Sequence, residues 1–510
     1  MSANSTTGGE RHQPPSLPSI DGASVPLVPS RFNLLVPLRR GRILAHNSMS
    51  GAVAVWERED VSEFQRAAEG LPTRNASSAA ALAYGGYLVP SAVDEIGLLR
   101  SQYERHRFDP TSMVLTIAPT LACNFGCDYC FQGSDKPSEW MSIEVQDAVV
   151  EMVKRALPRI TRLHVAWYGG EPLLALPVIE SLSDRLIALL QASATDFDAM
   201  IVTNGYRLDA TAARSLHSRR VTTAQITIDG AETDHDQRRT LLGGQPTFRR
   251  ILDNIRAFLG RVPLRVTVRV NVDQRNAASL RDLIAQLANL GLGNRSDFSM
   301  YFAPVEAITE GCHSVSDLCM SKRDYGALEA ELSRSAFEAG LSSLPYPRRF
   351  RGICGAVKPN GFVIAPNGDV HKCWDTVSLP GRRVGTVFNP ESLGAGSAKW
   401  LDWTPFENPI CVECKILPTC AGSCAHKFVN PDQTVGEAAA LPCPSWRYNA
   451  HEKLLHLAEQ KQAINRNDYD LLQARTDPLA ICAAPVRHGE PSKGFVPLDA
   501  LRVSRYEPAQ

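Results

Sequence analysis

The chain has 510 residues, with Lys+Arg and Asp+Glu equal at 54 each, so no net charge favours nucleic acid or an anionic membrane as its main partner. Hydrophobic residues make up 44% and charged residues 21%, an ordinary globular balance, and the length exceeds what one core sustains, so two or three domains are expected. No apolar run reaches the length of a membrane span and the N-terminus holds no signal-peptide core; a reducing cytoplasm is expected, where the 13 cysteines read as metal ligands rather than disulfides.

Residues 1–30 are rich in Ser, Pro and Gly and read as a disordered tail. Residues 31–110 read as a small α+β module. FNLLVPLRRGRILAHN gives strand, turn and strand with Arg39-Arg40-Gly41 at the turn, and SAVDEIGLLRSQYERHR gives a helix with acidic residues early and basic residues late.

From about residue 112 short apolar strands alternate with amphipathic helices. Six strands are expected near 113–119, 163–168, 199–203, 223–229, 264–272 and 298–303. Ile179, Leu182, Leu186, Leu189 and Leu190 make one helical stripe; Leu280, Leu283, Ile284, Leu287 and Leu290 make another, with Gly291 placed to end it. Such repeats imply parallel strands joined by right-handed crossovers. LRVTVRVNV sets Leu264, Val266, Val268, Val270 and Val272 opposite Arg265, Thr267, Arg269 and Asn271. A closed eight-strand barrel fills its lumen with apolar groups. Six strands with one polar face predict a partial barrel over 111–310 holding a polar ligand; an open doubly wound sheet with a solvated edge is the alternative. Residues 311–350 read as a helical bridge. Residues 351–450, dense in Cys, Pro and Gly, need something other than a large core, here metal, and 451–510 read as a helix and tail.

LACNFGCDYCFQG places Cys123, Cys127 and Cys130 directly after the first barrel strand, at the mouth where such barrels carry their sites. A structural zinc site wants four ligands. An iron–sulfur cube held by three thiolates leaves one iron for a small chelating molecule. C-x3-C-x2-C with Tyr129 before the last Cys resembles the signature of the radical S-adenosylmethionine (radical SAM) superfamily, in which SAM chelates the fourth iron and is cleaved to a hydrogen-abstracting 5′-deoxyadenosyl radical. YGGEP (168–172) resembles the superfamily's Gly-Gly-Glu-Pro motif. The resemblance implies that Gly169, Gly170 and Glu171 hold the SAM ammonium, the glycines letting the main chain approach the ligand. TIDGAETDHDQRR (227–239) is similar to a third motif of one branch. It places Thr227 and Asp229 at cofactor-binding positions and Arg239 against the SAM carboxylate.

Cys354, Cys373, Cys411, Cys414, Cys420, Cys424 and Cys443 then follow a spacing that resembles the SPASM domain, an extension of peptide- and protein-modifying radical SAM enzymes that binds two auxiliary [4Fe–4S] clusters. Carried over by position, Cys354, Cys373 and Cys424 hold the first cluster, and Cys411, Cys414, Cys420 and Cys443 the second. The first lacks a fourth ligand, which Cys312 or Cys319 could supply unless the site is open; Cys482 lies outside the pattern. Read alone, the C-x2-C tail suits a zinc ribbon equally. The resemblance implies a peptide-modifying oxidoreductase that forms a thioether or carbon–carbon crosslink in a ribosomal precursor peptide, fed by a flavodoxin- or ferredoxin-like donor. The alternatives are an anaerobic sulfatase-maturing, formylglycine-forming enzyme and a cluster-bearing protein without turnover. Trp374 after Cys373 and Tyr168 before the glycines depart from the sulfatase-maturing pattern. Asp375 is the candidate base, and the N-terminal module a candidate site for peptide strand addition.

Overall fold

The computed structural model describes residues 25–482 apart from 344, 345, 347, 351 and 437–441. Most of the tail expected over 1–30, and everything from residue 483, lies outside the described residues.

The N-terminal module runs β1 (Leu27–Pro29), β2 (Asn33–Pro37), β3 (Ile43–Asn47), β4 (Val53–Trp56), α1 (Arg58–Ala68), α2 (Ala76–Tyr84), β5 (Leu88–Pro90) and α3 (Glu95–Arg107). β2, β3 and β4 form an antiparallel sheet in that order, and β1 pairs with β5. Arg40 and Gly41 at the β2–β3 turn both take left-handed backbone, at φ 64° and 72°. β4 and the Ala-rich α2 have no counterpart in the sequence reading, because four strand residues and ASSAAALAY show too little period.

Six parallel strands follow: β6 (Ser112–Ile117), β7 (Arg162–Trp167), β8 (Asp196–Thr203), β9 (Val221–Thr227), β10 (Arg265–Val272) and β11 (Phe298–Pro304). Each pairs with its predecessor and the order never reverses. A doubly wound sheet requires a reversal; without one, right-handed crossovers place every helix on the same face. The helices are α4 (Ile143–Ala156), α5 (Leu176–Gln191), α6 (Ala210–Ser218), α7 (Glu232–Arg238), α8 (Phe248–Phe258) and α9 (Leu280–Asn289). Leu115, Val165, Ile201, Ile226, Val268 and Met300 on the helix side are buried in one core, while His164, Asp198, Gln225, Arg269 and Tyr301 alternate onto the other face. Both expected leucine stripes lie on α5 and α9, and Gly291 takes φ 74° just past α9.

The cysteine-rich segment departs from expectation. β12 (Gly361–Ile364) pairs parallel with β6, and β13 (Asp369–His371) and β14 (Gly385–Thr386) continue antiparallel, making one nine-stranded sheet. Ile364, Val370, Trp400, Trp403 and Phe428 belong to the barrel's own core. The segment is therefore held by apolar burial as well as by any metal. α10 (Lys322–Glu338) packs on α11 (Trp446–Gln460), and Leu454, Leu455 and Ala458 of α11 bury Val36 and Leu44 of the N-terminal module.

Arg107 ties that module to the tail. Buried to 2% exposure, it donates from Nε to Val357 O at 2.7 Å and from Nη2 to Trp400 O and Leu401 O at 3.2 and 2.5 Å. Arg107→Met leaves these carbonyls without a charged donor and is expected to cost about 3 kcal/mol, seen as a lower denaturant midpoint.

Candidate active site

After β6 the chain turns into the loop carrying Cys123, Cys127 and Cys130, all half-buried. Gly126 N donates to Thr240 O at 3.1 Å and Leu242 N to Asn124 O at 2.9 Å, fixing the loop to the segment after α7. Phe125 N points at Cys123 Sγ, 3.4 Å away. Burial pushes the Cys123 thiol up to about 11 and raises Cys127 as well. Three clustered, poorly solvated thiols with an amide donor suit a thiolate-bound metal, whose charge would displace their protons.

Gly169 and Gly170 have a reason within the fold itself. A Cβ on Gly169, at φ 130°, would meet Thr120 O at 2.3 Å; one on Gly170 would meet Ala122 O and Leu121 O at 2.1 and 2.2 Å. The glycines thus admit the backbone of the cysteine loop itself. Glu171 N donates to Ala122 O at 2.7 Å. The Glu171 carboxylate is fully buried and accepts from Leu173 N, Thr203 Oγ1 and Asn204 N at 3.0, 2.7 and 2.7 Å. Burial raises its pKa against the pull of those donors.

A second cluster of side chains flanks the loop. Tyr129 donates to Asp229 Oδ2 and accepts from Arg239 Nη1 at 2.6 Å; Arg239 also lies 3.7 Å from Asp229. Asp229 Oδ1 accepts from Asn271 N at 2.8 Å. Arg239 is buried rather than a surface ion pair, stacks over Phe125 and faces Cys127. Burial disfavours its charge, yet Cys127, Tyr129 and Asp229 outweigh it and hold the pKa well above normal. Thr227, at the end of β9, is buried beside this group.

Behind the loop lies the polar face of the sheet. His164 Nδ1 and Asp198 Oδ2 are 2.6 Å apart, and Gln225 accepts from Tyr301 at 2.9 Å. Arg269 Nε donates to Asn271 Oδ1 at 2.7 Å and Nη1 to Tyr301 Oη at 3.4 Å, but no carboxylate of the described residues lies within ion-pair distance. A row of rings crosses the mouth. Phe131, next to Cys130, stacks on Tyr168 at 5.9 Å, and Tyr168 lies 5.3 Å from Trp374, which is 46% exposed.

Trp374 leads to the tail cysteines. Cys354, Cys373 and Cys424 lie near one another. Around Cys373 stand Asp375, with Oδ2 3.4 Å from its Sγ, and His426, the three offering donor atoms within 4.8 Å of one another. Burial raises the Asp375 pKa. Cys312 and Cys319 bond instead to their local carbonyls, Thr309 O at 3.2 Å and Val315 O at 3.4 Å, and pack beside Tyr129. Cys411, Cys414, Cys420 and Cys443 gather as a second set, joined by Cys482, which the sequence spacing leaves out. The spacing left Cys482 over without saying where it goes.

Comparison with known proteins agrees with this geometry. Residues 117–287 match the Radical SAM superfamily. The chain is 28% identical over 177 residues to the sporulation killing factor maturation protein SkfB of Bacillus subtilis (strain 168), covering 34% of this chain and 40% of the relative. It is 31% identical over 148 residues to a GTP 3′,8-cyclase of Synechococcus sp. (strain CC9902), 28% of this chain and 39% of that one. A 27% match to the mycofactocin maturase MftC of Mycolicibacterium smegmatis (strain ATCC 700084 / mc(2)155) extends over 299 residues, 56% of this chain and 69% of the relative. The chain thus spans about two fifths of the first two relatives' length. Among solved structures, anSMEcpe with bound AdoMet shares the fold at TM-score 0.53 and 19% identity, covering 70% of this chain and 97% of that one.

Gly170→Ala forces a methyl group into two backbone carbonyls. It is expected to cost about 3 kcal/mol, read as a lower denaturant midpoint.

Proposed function

On the premise that the chain's central domain, residues 117–287, is a radical SAM domain, we propose that the protein is a peptide maturase. It abstracts hydrogen from a precursor peptide to form a thioether or carbon–carbon crosslink. The observation that carries this reading is the convergence of three loop thiols, the Gly169–Gly170 turn and the Tyr129–Asp229–Arg239 group on one end of a polar lumen. Cys123, Cys127 and Cys130 would hold a [4Fe–4S] cluster, with Gly169, Gly170, Glu171, Thr227, Asp229 and Arg239 forming the SAM site. That pair of groups supplies a 5′-deoxyadenosyl radical when bound.

The chain's own residues do the rest. Arg239, buried and charged beside Cys127, suits a carboxylate. The Phe131–Tyr168–Trp374 row gives the substrate an aromatic wall at the lumen mouth. Asp375, next to both Tyr168 and the first tail set, would take a proton from a substrate thiol or amide. Cys354, Cys373 and Cys424, and Cys411, Cys414, Cys420 and Cys443, would hold two auxiliary clusters that accept the substrate's electron. A low-potential flavodoxin- or ferredoxin-like protein would be the donor. No helix of the described residues is long and apolar enough to cross a membrane, and a cytoplasmic setting suits thiol-bound iron.

Two features favour a peptide over a small molecule. Of these matches the longest, over 56% of the chain, is to a protein named a maturase, whereas the two cyclase matches cover 28% and 36%. Among the described residues β4 is one edge of the N-terminal sheet, as β2 is the other, and its side facing away from β3 is open to strand addition. A cleft of about 1220 Å³ opens at the end of that strand, bounded by Glu57, Arg58, Arg334 and Arg466.

The decisive measurement is the mass of a short peptide encoded beside this chain after anaerobic co-expression. Loss of hydrogens in pairs, absent with Cys127→Ala, is expected. Exchange of sulfur for oxygen in a sulfatase fragment, with the peptide unchanged, would favour formylglycine formation instead. Asp375→Asn is expected to keep 5′-deoxyadenosine formation and lose the modified peptide. Val55→Pro, which removes a β4 amide facing away from β3, is expected to raise the peptide KM at least several-fold while leaving SAM cleavage without peptide unchanged.

A further inference from the structure

Arg269 is a lumen cation that the described residues leave without a counter-ion. It sits on β10, in register with Thr227 of β9 on one side and Tyr301 of β11 on the other. Asn271, two residues nearer the mouth, joins it to the group beside the cysteine loop. Asn271 Oδ1 accepts from Arg269 Nε at 2.7 Å, while Asn271 N donates to Asp229 Oδ1 at 2.8 Å and Nδ2 to Tyr129 Oη at 3.4 Å. Arg269 Nη1 reaches Tyr301 Oη only at 3.4 Å, and among the described residues Nη2 has no acceptor. The side chain is half-buried and stays open to the lumen.

The carboxylates around it are already engaged. Asp198 faces His164 Nδ1 at 2.6 Å, Asp229 holds Tyr129, Arg239 and Asn271 N, and Asp375 lies against Cys373 Sγ. Glu171 takes three donors of its own. The neighbouring cations are paired as well, Arg238 with Asp273 and Arg239 with Asp229. A single guanidinium with free N–H groups on its outer edge matches one planar anion of one charge, and a carboxylate is that anion. A phosphate dianion would call for a second free cation, which is not at hand. An unmodified peptide carries such a charge near neutral pH on Asp, on Glu and at its C-terminus. We infer that Arg269 binds a carboxylate of the peptide segment that enters the lumen, and so selects which residue stands at the mouth between Tyr168 and Asp375.

Arg269 takes this role only if the chain is a peptide maturase, and the test separates the two. The probe is the short peptide encoded beside this chain, made with each Asp and Glu changed in turn to Asn or Gln and, separately, with its C-terminus amidated. KM and kcat for peptide modification are measured anaerobically with the loaded full chain and with its Arg269→Gln and Arg269→Lys variants. With the unmutated chain, one altered peptide is expected to show a KM raised about tenfold or more. With Arg269→Gln the parent peptide shows the same rise, and removing that carboxylate adds nothing further. Arg269→Lys keeps the charge and loses the fork; it falls between, and carries the comparison if Arg269→Gln does not fold. The peptide that responds tells a side-chain carboxylate from the C-terminus. If no altered peptide responds, or if the loss costs as much in the variants as in the unmutated chain, the assignment is overturned. Loss of 5′-deoxyadenosine formation without peptide in both variants would assign Arg269 to SAM and overturn it too. An unmutated chain that modifies no peptide would overturn the maturase reading, and the role of Arg269 with it.

Discussion

The carbonyl oxygens of Thr120, Leu121 and Ala122 occupy the space that a side chain on residues 169 and 170 would need. This contact sets the rest of the site. β6 and β7 are register neighbours, with Ile117 opposite Trp167, so the loops that follow them leave the sheet side by side. Tyr168 N, Gly170 N and Glu171 N then donate to Ile117 O, Thr120 O and Ala122 O, making the two loops one backbone-bonded unit. A loop fixed by main-chain bonds presents its three thiols in a set arrangement without help from metal. The unit continues outward. Tyr168, the residue before the close passage, stands between Phe131 of the cysteine loop and Trp374 of the tail.

Much of this was legible in the sequence, for a physical reason. Each barrel strand buries one face against helices, so its alternation shows in a single window, as in LRVTVRVNV, and the six expected strands fall within a few residues of those observed. Strict strand-by-helix alternation also fixes topology. What stayed hidden depends on partners remote in sequence. GFVI and DVH are too short to show a period, and nothing local says that β12 pairs with β6. The glycines of YGGEP announce a close approach, but the sequence does not say whether ligand or protein makes it. Cys482 is the sharpest case, since only the folding of the C-terminal segment onto Ile410 and Cys414 brings it to the second set.

The charges around the tail cysteines make sense only together with the thiols. Glu306 accepts from both Lys322 and Lys427, whose side chains are nearly buried. Lys427 faces Cys424 and Cys443, Arg447 touches Cys443, and Lys372 faces Cys354, with burial drawing the Lys372 pKa down to about 7. Buried cations in excess of buried carboxylates are costly while the cysteines remain neutral thiols. Ionising those cysteines, as iron binding requires, supplies the missing negative charge. The protein part of the two sets would therefore suit a form in which their thiols are ionised by bound metal.

The same packing decides how a bound peptide would be presented. α3 is fastened to the tail through Arg107 and through Leu99 and Tyr103, which pack with Phe32, Phe406 and Leu417. The β2–β3 hairpin is fastened to α11 through Val36 and Leu44. Two separate apolar contacts, one to α11 and one to Phe406 and Leu417, leave the module little freedom to rotate as a hinged domain would. Removing the module would also strip cover from the residues that flank Cys411 and Cys414, so recognition cannot be separated from the tail by deletion. A peptide strand held on β4 would thus be anchored to a fixed body, and only the chain between that strand and the modified residue would be left to search. Its length, rather than domain motion, would then govern which residue reaches the mouth lined by Tyr168 and Trp374.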